Sequence, residues 1–178
     1  MQMHQPLEPE DFALIKGKSP TASEVEAYCD EFDSAAKASC LNESWPLFRT
    51  KILTPNGLVE FCGKVEDKFR GRCFSAMFYV VTAQLDLSSD KVFDFCSNIS
   101  ERQSQCFANA ASRMIEVDYK FITRAVDLCK KAEKFDSLGA CFEELVTYST
   151  YNFHKGSDEY YKICESLPDK WKAKCLNK

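Results

Sequence analysis

Ten cysteines, Cys29, Cys40, Cys62, Cys73, Cys96, Cys106, Cys129, Cys141, Cys164 and Cys175, are separated by 11, 22, 11, 23, 10, 23, 12, 23 and 11 positions. First members of each pair therefore recur every 33 to 35 residues, and second members do the same. That is the period of a two-helix repeat. It divides the chain into a leader, residues 1–19, and five repeats at about 20–54, 55–87, 88–121, 122–155 and 156–178, the last one short.

Aligned on the first cysteine, the repeats set apolar residues on one side of a helix. Four positions before it stand Val25, Leu58, Val92, Ala125 and Tyr160; one before it, Tyr28, Phe61, Phe95, Leu128 and Ile163; three after it, Phe32, Val65, Ile99, Ala132 and Leu167. Offsets of −4, −1, 0 and +3 share a helical face. Upstream, Thr21, Thr54, Ser88 and Ser157 suit an N-cap, Glu24 completes a capping box with Thr21, and Pro55 suits a first helical position. The spacing predicts a helix A of about eleven or twelve residues per repeat.

The second cysteine is followed by Leu41, Phe74, Phe107, Phe142 or Leu176, and in the complete repeats by an apolar-periodic run such as CFSAMFYVVTAQL. This is helix B, with its cysteine near its start. Antiparallel helices joined by a short turn bring such cysteines within disulfide reach, so the spacing predicts one staple per hairpin. Pairing between repeats, such as Cys40 with Cys62, competes wherever two helices cross closely. A loop of this length contributes about 3 kcal/mol in the chain-entropy model, which matters because short helices are marginal alone. The expected fold is an all-α, right-handed αα-hairpin solenoid in one domain, residues 20–178.

An even cysteine count far above ordinary usage points to an oxidising compartment, secreted or periplasmic. The first 19 residues, MQMHQPLEPEDFALIKGKS, lack the apolar centre of a signal peptide, so the expectation is a flexible leader on a chain whose export signal has been removed. No stretch approaches the roughly 18 apolar residues of a membrane span, so no membrane insertion is expected. Net charge is −4, and without a basic stripe nucleic acid is not an expected partner. Charge is graded, with six acids against three bases over 20–54 and four against five over 156–178.

In period and layout, residues 20–178 resemble tetratricopeptide-like arrays, and one cystine per hairpin resembles the secreted cysteine-rich Sel-like repeat proteins of Helicobacter. The glycine and alanine signatures of those families do not occur here, and the cysteine spacing is wider. The resemblance implies a protein-binding scaffold that uses the face lined by A helices, and it transfers no functional residue. Twin cysteine-x9-cysteine proteins of the mitochondrial intermembrane space pair two such motifs across one hairpin, whereas five copies stand in tandem here.

The cysteines lack the close local pairs of a zinc site, and neither metal nor other cofactor is expected. His4 lies in the leader and His154 near Gly156, with no partner for nucleophilic catalysis. Adjacent carboxylates, Glu143 with Glu144 and Asp30 with Glu31, point about 100° apart on a helix and read as a solvated face. The segment GKSP at 17–20 lacks the rest of a nucleotide motif. Asn42 and Asn98 each begin an Asn-x-Ser sequence that decides nothing alone.

Contact candidates are Tyr148, Tyr151 and Tyr161, in an aromatic cluster where the fourth repeat meets the fifth, and Glu24, Lys91, Arg124 and Glu159, on the side of helix A away from the cysteine. The expected function is a non-catalytic extracytoplasmic protein-interaction scaffold with another protein as partner, as a secreted effector, immunity protein or adaptor. Second comes a carrier or sequestering protein for a hydrophobic ligand or a metal. Third comes an enzyme with an unrecognised carboxylate site.

Overall fold

The computed structural model describes residues 20–136 and 138–177; the leader expected over 1–19 lies outside them. Among the described residues the chain forms helices and no strand. In order these are α1 (Ala22–Cys29), α2 (Ser34–Glu43), α3 (Arg49–Ile52), α4 (Pro55–Cys62), α5 (Asp67–Gln84), α6 (Ser89–Ser97), α7 (Gln103–Val117), α8 (Ile122–Ala132), α9 (Ala140–Asn152), α10 (Asp158–Ser166) and α11 (Asp169–Asn177). Short 3-10 turns occupy Trp45–Phe48 and Tyr119–Phe121.

The A helices begin where the sequence places their caps. Thr21, Thr54, Ser88 and Ser157 accept from the backbone N–H of Glu24, Gly57, Lys91 and Tyr160, and Thr21 with Glu24 forms the full capping box. Each such cap satisfies an N–H that the helix leaves unpaired. The fourth repeat differs: the Tyr119–Phe121 turn leads into α8, and Asp118 caps that turn instead.

Four of the A helices are shorter than expected, with 8 residues in α1 and α4 and 9 in α6 and α10, against 11 in α8. They stop at or just after the first cysteine because the chain must reverse at once to bring the second cysteine back. Phe32, Val65 and Ile99 consequently lie in the A-to-B turn rather than on the helix.

All five disulfides lie within hairpins: Cys29 with Cys40, Cys62 with Cys73, Cys96 with Cys106, Cys129 with Cys141 and Cys164 with Cys175. Their Cα separations run from 5.4 to 5.7 Å, inside the range that a disulfide tolerates. No cysteine among the described residues is free, and five cystines fit an oxidising compartment.

The contacts divide the chain into two compact parts, one reaching Arg49 and one from Thr50 onward. In the first, α1 and α2 form the stapled hairpin, with Cys29, Ala38, Leu41 and Phe48 buried. Pro46 ends the B-helix pattern early, in the 3-10 turn that follows α2.

In the second part, A helices pack on A helices and B helices on B helices: α6 on α8 and α8 on α10, then α5 on α7, α7 on α9 and α9 on α11. All residues at offsets −4, −1 and +3 are buried in these four repeats, from Leu58, Phe61 and Val65 to Tyr160, Ile163 and Leu167. Phe93, Phe107 and Phe135 close ring on ring, with centroids 6.0 Å apart. Tyr160 Oη donates to the carbonyl of Cys175 at 2.5 Å, tying α10 to α11 beside their disulfide. Asp136, itself buried, accepts from Cys141 N at 2.8 Å and from Ser104 Oγ at 3.1 Å, so one carboxylate caps α9 and joins it to α7.

The first repeat breaks the rule. Tyr28 is 48% and Phe32 39% exposed, in edge-to-face contact at 5.1 Å, and Val25 is only half-buried.

Candidate functional site

Helix α5 carries two faces. Cys73, Phe74, Met77, Phe78 and Val81 turn into the core. Lys68, Gly71, Arg72, Ser75, Ala76 and Tyr79 recur at helical spacing on another side, where with Gln105 of α7 they line a solvent-open depression of about 650 Å³.

Polar contacts between α5 and α7 fix its floor. Gln105 Nε2 donates to Ser75 Oγ at 2.6 Å and to the Gly71 carbonyl at 3.2 Å. Further along, Tyr79 and Ser112 share a hydrogen bond of 3.2 Å, and the Arg113 guanidinium lies 5.7 Å from the Tyr79 ring centre. Burial pushes the Tyr79 phenol up, chiefly by removing water from its charged form.

The seam continues to α9, where Glu144 is half-buried. Burial raises its carboxyl above the usual range, and a hydrogen bond from Ser112 opposes the shift. The solvated face expected for the Glu143–Glu144 pair thus holds two different carboxylates: Glu143 pairs with Lys174, whereas Glu144 turns toward the α7 seam. Asp30 pairs with Lys37 at 2.7 Å.

The candidates read from the sequence are dispersed. Tyr148 is half-buried against Phe153, with its phenol pushed up by burial. Tyr161 stands edge-on to Tyr160 and is half exposed, while Tyr151 is 84% exposed. Among the described residues no ring contact joins Tyr148, Tyr151 and Tyr161 to one another. Glu24 is occupied by the Thr21 capping box, Lys91 by Asp86 at 2.5 Å, and the Arg124 guanidinium lies 4.3 Å from the Phe121 ring centre. Glu159 is half-buried in the first turn of α10, and His154 stands in the loop before it.

The depression was not singled out from the sequence. Its helical stride from Lys68 to Tyr79 is visible there, but only as the polar side of α5.

Among the described residues no group of three or more His, Cys, Asp or Glu is placed to hold a metal, and no helix is long and apolar enough to cross a membrane. Comparison with protein-family models, curated proteins and solved structures finds no match to this chain.

Proposed function

We propose that this chain is a non-catalytic protein-interaction scaffold working in an oxidising space outside the cytoplasm, secreted or periplasmic, as an effector, immunity protein or adaptor. The observation that carries this reading is the open depression spanning α5 and α7, two helices of successive repeats. Stacked repeats generate such extended surfaces between neighbours, and the staples hold them rigid, which lowers the ordering cost of binding.

Two features weigh against the alternatives. Phe93, Phe107 and Phe135 pack on one another, so these rings are engaged within the protein rather than lining a cavity for a hydrophobic cargo. Among the described residues the one carboxyl that burial raises, Glu144, is shifted by burial and by the Ser112 hydroxyl and by no neighbouring carboxylate, whereas paired acid–base chemistry requires two carboxyls acting on one site.

The test is affinity capture from extracytoplasmic extracts with the oxidised protein, alongside native mass spectrometry of the purified sample. A stoichiometric protein partner supports the scaffold. A co-purifying small molecule or metal, with no protein captured, moves the carrier reading to the front.

A further inference from the structure

We propose that the depression on α5 and α7 is the docking site for an acidic, extended peptide segment of a partner; this rests on the protein-interaction reading above. Charge is the first reason. Lys68 and Arg72 line the depression, and among the described residues no carboxylate does. The Arg102 guanidinium also reaches its rim, 3.8 Å from where a Gly71 side chain would begin. The chain as a whole is acidic, with net charge −4, so this concentration of positive charge is local.

One neighbouring carboxylate reaches a cation of the depression itself, in an exposed pair, and the others hold cations outside it. Glu66 pairs with Lys68, Asp67 and Glu101 with Arg70, and Glu116 with Arg113. Among the described residues neither Arg72 nor Arg102 has an ion-pair partner.

Backbone conformation is the second reason. Arg102 holds φ at +60°, the left-handed region that bulky residues avoid. Opposite it, Gly71 occupies the interior of α5, where alanine is the better helix former. Two locally unfavourable choices meet at one point, and there the Arg102 guanidinium stands at the rim over Gly71.

Spacing defines the occupant. Residues i and i+4 on a helix, such as Lys68 and Arg72, lie about 5–6 Å apart at Cβ. Alternate side chains of an extended strand lie about 6.6 Å apart. An extended segment with carboxylates two residues apart, Glu-x-Glu or Asp-x-Asp, therefore matches the pair, with the Tyr79 ring beside it for an apolar residue.

The experiment titrates the full oxidised chain into a fluorescein-labelled decapeptide built on Glu-x-Glu, read by anisotropy. Its glutamine counterpart and a labelled oligothymidylate run in parallel. The glutamate peptide should bind saturably and the glutamine peptide about tenfold more weakly. Arg72→Glu should weaken glutamate-peptide binding by about tenfold or more, whereas Lys130→Glu, an equal charge change on α8, should stay within about twofold. Arg102→Gly relieves the left-handed arginine, so it should melt no lower than the parent while binding the peptide several-fold more weakly.

Absence of saturable peptide binding overturns the proposal, as does equal loss in Arg72→Glu and Lys130→Glu. Tighter binding of the oligothymidylate than of the peptide does so too. A captured protein partner whose binding ignores Arg72→Glu overturns this site and leaves the scaffold standing; an oxidised protein that captures nothing overturns the scaffold.

Discussion

Gly139 lies directly against the indole of Trp171: a β-carbon on this glycine would sit 2.6 Å from Trp171 Cζ2. Its φ of +74° is also in the left-handed region. Trp171 stacks on Phe142, with centroids 5.9 Å apart, and carries the Lys170 and Lys174 ammonium groups at 4.8 and 5.4 Å. The glycine before α9 is thus where α11, the end of the last repeat, takes its seat. Gly139→Ala is expected to cost about 2 kcal/mol or more, since left-handed strain alone contributes about 1–2 kcal/mol and the ring must also shift. A lower urea midpoint, with altered Trp171 emission in a Trp45→Phe background, checks it; an unchanged midpoint would mean that the indole slides away freely.

The first repeat supplies a contrast of position between two aromatic residues. Tyr28 and Phe61 occupy the same offset from their cysteines, yet Tyr28 is 48% exposed and Phe61 fully buried. Phe61→Ala should therefore cost about 3–5 kcal/mol by opening a cavity. Tyr28→Ser and Phe32→Ser should each cost under about 1 kcal/mol, as ordinary surface changes do. Equal losses at Tyr28 and Phe61 would show that the Tyr28 face is covered in solution.

What the sequence made legible, and what it did not, follows the same line. The cap positions and the buried offsets of the last four repeats were readable, because a fixed period reports which residues share a helical face. Exposure of Tyr28 and Phe32 was not, because residue type records what a face could pack against and says nothing about a neighbour being there. Helix A length was overestimated by treating Val65 and Ile99 as helical, whereas the disulfide turn places them beyond the helix end. The α5 depression was missed for another reason. Gly71 belongs to the second repeat and Arg102 and Gln105 to the third, and the likeness to tetratricopeptide arrays points to the A helices.

The staples and the last repeat make a joint prediction. Replacing Cys164 and Cys175 by alanine should remove about 3 kcal/mol of unfolded-state restraint, and the loss should appear first in α10 and α11 as faster amide exchange. Ending the chain at residue 155 removes Trp171, Tyr160 and Ile163 from their packed positions and strips Phe142 of its stacking partner. That shortened protein should aggregate; a soluble monomer would count against repeat-on-repeat packing. Mapping disulfides in a low-pH digest of the full chain should recover the five hairpin bonds.

Two carboxylates should give stability profiles of opposite slope. Glu144 is pushed above its ordinary value of 4.5 by burial. The native state therefore holds its proton more tightly than the unfolded chain does, and ionisation costs stability as pH rises through the ordinary value toward the native one. Asp127 is the reverse: hydrogen bonds from Lys131 and Ser89 hold it below its ordinary 3.8. Its stabilising contribution is present above that value and is lost as pH falls through the native one. Glu144→Gln should match the parent near about pH 4 and gain on it toward about pH 7, whereas Asp127→Asn should be less stable near about pH 7 and converge on the parent in acid. Melting temperatures of the three proteins across that range decide the matter, and parallel profiles would mean that neither carboxylate is held as the packing of α7, α8 and α9 implies.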